Sequence, residues 1–341
     1  MHLLGQVEMC RTLLPNADLL VYSSLQKEAL ASSTIEGTIA TPEELVRYQA
    51  SKTTEREPVR EVANYSEALE FGCSFLQNNP ISLYLVRSLH ETLLQGVRGE
   101  VLAGKLKEAQ NFIGGVGADA AFTPPPPEHT PGLMDNLLVY INTPHHQPLV
   151  VQVAIAHYQF ETIHPFGDGN GRVGRLLIIL HLIALGLLSA PLIYPSVYFE
   201  RHRSQYYDAL QGVRDRGAWN EYLSYFLDGI RTQCEETISF TRIFLELQSR
   251  MRAEVRGVRK QASIDRVLGE FFKAPVLEVG QITRETRMSH NTAQSAIEEL
   301  ITMGVVAEIT GQRKGRLYVC KPIYDLVFPR PNGPLIEFDD V

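Results

Sequence analysis

Apolar side chains recur every three or four residues along most of the first 240 positions, the period of a helix with one buried face. On this pattern helices are expected at 19–36, 59–78, 82–96, 131–143, 148–163, 169–187, 203–214 and 219–247. The first of these stops at Gly37. Thr41-Pro42-Glu43-Glu44 opens a further helix, with Thr41 as N-cap, proline at the first helical position and Glu44 closing a capping box. One stretch is not amphipathic: residues 176–188 are apolar except for His181 and Gly186. Thirteen residues are too few to cross a bilayer, so this segment reads as a helix buried on all sides in a bundle.

The helical period breaks twice. Within 105–130, Gln110-Asn111-Phe112-Ile113-Gly114-Gly115 is followed by Pro124-Pro125-Pro126-Pro127, and neither run fits a helix interior. Glycines after a short apolar stretch suggest a hairpin, with the prolines holding the return path extended, so this reads as an exposed flap. From about residue 250 the pattern changes again. Helices are expected at 262–273, 279–286 and 291–303, with Ser289-His290-Asn291-Thr292 as turn and cap. Residues 305–309 and 316–320 read as strands joined by Gly311-Gln312-Arg313-Lys314-Gly315, the order of a winged helix-turn-helix. The expected fold is therefore mainly α, with a small β-hairpin flap and a carboxy-terminal winged helix-turn-helix, and 329–341 is expected to be a loose tail.

Charge adds an asymmetry. The whole chain carries −7, yet residues 251–321 hold 12 Lys/Arg against 8 Asp/Glu, leaving −11 on the remainder. A basic module on an acidic body hints at a nucleic-acid partner. Asn291, Thr292, Gln294 and Ser295 would face base edges, and Arg313, Lys314 and Arg316 would touch phosphates. Such modules also serve in dimerisation or protein docking. The four cysteines, Cys10, Cys73, Cys234 and Cys320, form no CxxC pair or Cys/His cluster, which argues against zinc and for a reducing compartment. With no secretory pattern at the start and no membrane span, a cytoplasmic location is expected.

The densest chemistry lies in His164-Pro165-Phe166-Gly167-Asp168-Gly169-Asn170-Gly171-Arg172-Val173-Gly174-Arg175. Glycines at 167, 169 and 171 let the backbone curl tightly and clear space for a ligand. Amides converging at a helix start, with the positive end of its dipole behind them, bind phosphate. Asp168 could hold Mg2+, Asn170 could donate to a phosphate oxygen, and Arg172 and Arg175, three apart, could neutralise a polyphosphate. His164, with a pKa near neutrality, could take a proton from an attacking hydroxyl. A purely structural glycine turn is the bland alternative, and so many positions of specific type in twelve residues weigh against it.

This run resembles the Fic family signature, HxFx(D/E)GNGRxxR, at every fixed position, and the likeness extends over roughly residues 1–240. The resemblance implies transfer of AMP from ATP to a hydroxyl (Tyr, Ser or Thr) of a target protein, releasing pyrophosphate. It implies His164 as general base, Asp168 as Mg2+ ligand, and Asn170 with the amides of Gly169 and Gly171 as anion hole. Arg172 and Arg175 would take the β/γ-phosphates. The flap residues Gln110, Asn111, Phe112, Ile113 and Gly114 would align the target by strand addition, and Tyr206 and Tyr207 would wall the adenine pocket, ordinary helix packing being their alternative. Where family members often carry arginine three residues before the flap glutamine, this chain has Lys107, which keeps the charge without the bidentate fork and is given no role.

Ser32-Ser33-Thr34-Ile35-Glu36-Gly37 sets hydroxyl and carboxylate four apart on one helical face. Beside the signature it resembles the family's inhibitory helix, which implies that Glu36 pairs with Arg175 and that Ser32, Glu36 and Gly37 restrain the enzyme. The expected organisation is then 1–80 with the inhibitory helix, 81–240 as catalytic core, and 241–328 as linker helix and winged helix. The resemblance also implies self-modification and a homodimer. Two other readings share the same site: a hydrolase removing AMP from modified protein, and a nucleotide-sensing transcriptional regulator without transfer activity. The intact His164 argues against the regulator, since binding alone needs no base.

Overall fold

A computed structural model describes residues 1–14, 16–51, 56–311 and 315–329. Arg313 and Lys314 on the expected wing, and nearly all of the expected tail, lie outside the described residues. In chain order the α-helices begin with α1 (His2–Leu13), α2 (Asp18–Ile35), α3 (Pro42–Ser51), α4 (Glu57–Phe75) and α5 (Leu83–Leu94). They continue with α6 (Thr130–Asn142), α7 (Leu149–Ile163), α8 (Asn170–Ala184), α9 (Pro195–Arg201), α10 (Arg203–Arg216) and α11 (Trp219–Glu254). The carboxy-terminal elements are α12 (Gln261–Phe271), β1 (Val276–Glu278), α13 (Val279–Thr286), α14 (His290–Thr302), β2 (Val306–Glu308), β3 (Leu317–Cys320) and α15 (Lys321–Val327).

The chain forms two compact units. The first contains residues 1–8, 24–41 and 55–235, and the second contains 9–23, 42–54 and 236–341. In the first unit α4 packs on α5 and α8, and α7 packs on α6 and α8. Helix α8 is buried around its whole circumference from Val173 to Leu182, which is why its sequence shows no polar face. Its contact with α4 is close enough that a methyl on Gly72 would stand 2.7 Å from Leu180 Cδ1, so glycine sets the helix spacing there. None of the described helices is long and apolar enough to cross a membrane.

Helix α2 ends where Gly37 permits a left-handed residue (φ +86°). Gly37 N–H donates to Thr34 C=O at 3.0 Å and Thr38 N–H to Ser33 C=O at 3.0 Å, the paired bonds of a Schellman turn. Glu36 is thereby the residue on which the helix closes. Further back, Glu28 is buried, accepting from Tyr65 Oη (2.9 Å), Ser196 N (2.9 Å) and Ser196 Oγ. Glu28 and Ser32, one turn apart, form a buried polar stripe of α2, and Glu36, a further four residues on, continues its line to the surface just past the helix end.

The expected flap is smaller than a hairpin. Ile113 and Phe122 exchange backbone bonds of 3.0 and 3.2 Å and form an isolated bridge, with a 3₁₀ turn at Gly117–Asp119 between them. Two elements absent from the sequence reading, α1 and α9, complete the helical inventory of the amino-terminal 240 residues, and α11 runs past the expected 247 to Glu254. In the second unit, α13 and α14 fall at the helices expected over 279–286 and 291–303, and Ser289 Oγ caps α14 by accepting from Thr292 N at 3.2 Å. Strands β2 and β3 are antiparallel, and β1, also missing from the sequence reading, joins the other edge of β3 to give the order β1-β3-β2. Its three residues are too few to show a period.

Candidate active site

The site is assembled where α7 ends and α8 begins. His164 caps α7 in the left-handed region (φ 51°, ψ 61°), its N–H donating to Phe160 C=O at 2.9 Å. A non-glycine residue there is held by its surroundings rather than by preference. Those surroundings are the base of the flap. Asn111 Nδ2 donates to both His164 C=O and Phe166 C=O, each at 3.0 Å. Lys107 Nζ donates to Asn111 Oδ1 (2.9 Å) and Ile163 C=O (3.1 Å), and Lys107 N–H donates to Pro165 C=O (2.8 Å). Lys107, which the sequence left without a role, is thus a brace of the signature loop. Gln110 donates to Asn111 C=O and Pro124 C=O and so ties the two limbs of the flap together.

Beyond His164 the turn is fixed from inside. Asn170 Oδ1 accepts from Phe166 N at 2.8 Å and its Nδ2 donates to Phe166 C=O at 2.8 Å. The side chain expected to donate to phosphate therefore serves here as a loop brace, which leaves the backbone of 169–171 facing the helix start. His90, which no local pattern singled out, stacks on Phe166 (centroids 3.8 Å apart, 7° between planes). Its Nδ1 accepts from Gly104 N–H at 3.0 Å, which puts the proton on Nε2, the atom donating to Asp168 C=O at 2.9 Å. Asp168 is exposed, and its Oδ1 accepts from Gly169 N–H at 2.7 Å.

Burial lowers the His164 pKa to about 4, with Lys107 and Arg214 acting the same way against the opposing Glu161 backbone and Glu36. The imidazole is neutral at pH 7. Its Nδ1 is enclosed against the end of α7, so Nε2 is the nitrogen open to a substrate. Glu161, one turn earlier, is buried and its carboxyl is pushed up to about 7 by burial, partly offset by Arg175. Arg214 of α10 donates to Glu161 C=O (3.3 Å) and lies 4.0 Å from the Phe122 ring centroid, joining the flap to the end of α7.

The two signature arginines have separate partners. Arg175, 1% exposed, donates from Nε to Ser32 Oγ (2.8 Å), and from Nη2 to Ser32 C=O (2.9 Å) and Glu36 Oε1 (2.7 Å). Burial alone would favour its neutral form, but Glu36, Tyr206 and Glu161 outweigh it, so the guanidinium stays charged. The Glu36 carboxylate also fills the space over Gly171, where any side chain would collide with it. Arg172 donates from Nη1 to Glu61 Oε2 at 3.0 Å, a partner the sequence did not reveal.

Tyr206 departs from expectation. It is 2% exposed, stacks on Phe199 (4.9 Å, 4°) and meets His157 Nε2 at 2.8 Å through its hydroxyl, so it is a core residue and not a wall of an open pocket. Successive helical residues point about 100° apart, which turns Tyr206 into the core and Tyr207 outward. Tyr207, 42% exposed, is the one that reaches the surface. In the second unit Asn291 and Thr292 are exposed, whereas Ser295 takes a bond from Lys260 Nζ at 2.6 Å and Gln294 donates to Glu298 at 3.1 Å. Arg316 pairs with Glu308 at 3.8 Å.

Fold and site together define a class: a helical bundle that sets a neutral histidine and a glycine-rich turn at the start of a buried helix, with its arginines held by carboxylates. Comparison with known proteins narrows it. Residues 80–182 match the Fic/DOC family and residues 1–74 match the Fic/DOC family N-terminal region, together more than half of the chain. The chain belongs to the Fic/DOC family. It is 31% identical over 170 residues to protein adenylyltransferase fic-1 of Caenorhabditis briggsae, a match covering 48% of this chain and 31% of that protein. It is 38% identical over 135 residues to a probable protein adenylyltransferase of Aquifex aeolicus, covering 40% of this chain and 38% of that one. The chain thus spans about a third of the length of these curated relatives. The crystal structure of a Fic family protein from Desulfovibrio desulfuricans shares the fold at 19% identity, covering 94% of both chains with a TM-score of 0.60.

Proposed function

We propose that this protein transfers AMP from ATP to a hydroxyl group of a target protein and that Glu36 restrains it. The observation that carries the reading is the juxtaposition of a neutral, half-buried His164 with the glycine turn at the start of α8. In this reading His164 Nε2 accepts the proton of the target hydroxyl as its oxygen attacks the α-phosphorus. The bond from that phosphorus to the bridging oxygen breaks, and pyrophosphate leaves. The backbone amides at the start of α8 and the dipole behind them stabilise the charge on the phosphate oxygens. Among the described residues no three potential ligands cluster to hold a metal, but one exposed carboxylate, Asp168, completed by phosphate oxygens suits Mg2+. The ion would supply charge neutralisation on the triphosphate. Arg175 would grip the terminal phosphates, and with Ser32 and Glu36 holding it through three bonds it cannot. The naming of relatives as adenylyltransferases supports the reaction class.

The flap, with one bridging residue pair, is free to add a target strand along its edge. Elements 261–320 are read as a winged helix, with DNA or a second protein as its partner. The test of the reaction is incubation of the Glu36→Gly protein with ATP labelled separately on its α- and γ-phosphates. Label from the α-position on protein is expected; label from the γ-position would mean phosphorylation and would refute AMP transfer.

A further inference from the structure

Arg172 and Arg175 lie three residues apart on α8, yet their carboxylate partners act on them in different ways. Glu36 draws Arg175 toward α2 and occupies the room above Gly171. Glu61, on α4, meets Arg172 at one corner only. Nη1 donates to Glu61 Oε2 at 3.0 Å, while Nη2 is turned to Gly169, 3.8 Å from where a side chain on that glycine would begin. The Arg172 side chain is 6% exposed, and its Nε is enclosed with no hydrogen-bond partner. A planar fork gripped at one end has its other edge aimed by the grip. Glu61 Oε2 has a second donor, Thr38 Oγ1 at 2.8 Å. Thr38 is the residue whose N–H completes the turn closing α2, two positions beyond Glu36.

We propose that Glu61 is a positioning residue that aims Arg172 at the anion-binding turn of 169–171, and that Thr38 links this aim to the turn carrying Glu36. The inference rests on reading that turn as the nucleotide site. One carboxylate withholds an arginine and the other presents one. Any displacement of the turn that frees Arg175 also moves Thr38 and removes one of the two donors that fix Glu61. Release of Arg175 and the alignment of Arg172 are therefore mechanically joined.

The test is ATP affinity, measured by calorimetry on the full chain in the Glu36→Gly background. Glu61→Gln keeps the shape and an acceptor but removes the charge, and is expected to weaken ATP binding about tenfold. Thr38→Val deletes one hydroxyl and is expected to act in the same direction by about two- to threefold. In a background carrying Arg172→Ala, Glu61→Gln should have no further effect, because the two side chains act as one unit. Unchanged affinity would overturn the proposal. So would tighter binding, which would make Glu61 a competitor of phosphate, or an equal loss without Arg172. Because the readout is binding, a protein that takes up ATP but transfers no AMP would refute the reaction and leave the role of Glu61 standing.

Discussion

The signature run and the flap face the same chemistry but are built to opposite standards. In residues 164–175 the loop and its arginines are held by named partners: Asn170 on Phe166, His90 on Asp168, Arg172 on Glu61, and Arg175 on Ser32 and Glu36. In the flap the two limbs meet at the Ile113–Phe122 bridge and at the bond from Gln110 to Pro124 C=O, and Val116 at the tip is exposed. In the proposed reaction the first region would hold reacting atoms to a fraction of an ångström, and the second would accept a segment of the target. What joins them is Asn111, bonded to Lys107 on its own limb and to both flanks of Pro165. Asn111 and Lys107 anchor one limb of the flap to the signature loop, and Arg214 links the other limb to the end of α7.

Three perturbations would break or sharpen that contrast, all read with the Glu36→Gly protein as reference. The largest effect is expected from His164→Ala, a loss of AMP transfer of about 10²- to 10⁴-fold with ATP binding retained, measured as initial rates and affinity. Next is Asn111→Ala, which cuts the anchor. It should lower kcat by about tenfold or more by letting the His164 loop drift, whereas Val116→Ser at the tip should change only the KM for the target. Equal effects of the two on kcat would show that flap and site are not separately built.

The smallest effect concerns stability. His90, His164 and His181 titrate near 4 and His157 near 3, all held down chiefly by burial, against 6.5 for an ordinary imidazole. The unfolded chain therefore takes up protons first. Their stabilisation is complete above pH 6.5 and drains away as pH falls from 6.5 through 4. Glu161, raised to about 7, works in the other direction, its contribution full below its ordinary 4.5 and lost as pH rises through 7. Glu28, likewise raised by burial, adds to Glu161, and four imidazoles outweigh these two carboxyls, so the Tm should fall steadily between pH 6.5 and 4.5, and a flat profile there would contradict the burial of these imidazoles. The low His164 value also places the acid limb of kcat/KM near pH 4 and not near 6.5.

Legibility in the sequence followed the range of the interaction. Helix stops such as Gly37, the cap at Ser289 and the glycine turn of 167–171 are local and could be read directly. The pairing of Ser32 and Glu36 was visible as a spacing of four, and the same spacing extended backward would have found Glu28. The period of Leu4, Val7, Cys10 and Leu14, all buried, would likewise have revealed α1. His90, Glu61 and Lys107 reach the site across 78, 111 and 56 residues of chain, and nothing local marks them. Tyr206 misled because identity alone does not tell which of two adjacent aromatics faces inward.

The central claim is that Arg175 is withheld from substrate by Glu36. Its most direct test compares incorporation of α-labelled AMP by the unaltered chain and by Glu36→Gly at saturating ATP and Mg2+. The contacts predict that Glu36→Gly labels protein at least about tenfold faster, the consequence of freeing the buried Arg175 from one charge-assisted bond. Equal rates would mean that the Arg175–Glu36 bond is structural and that control lies elsewhere.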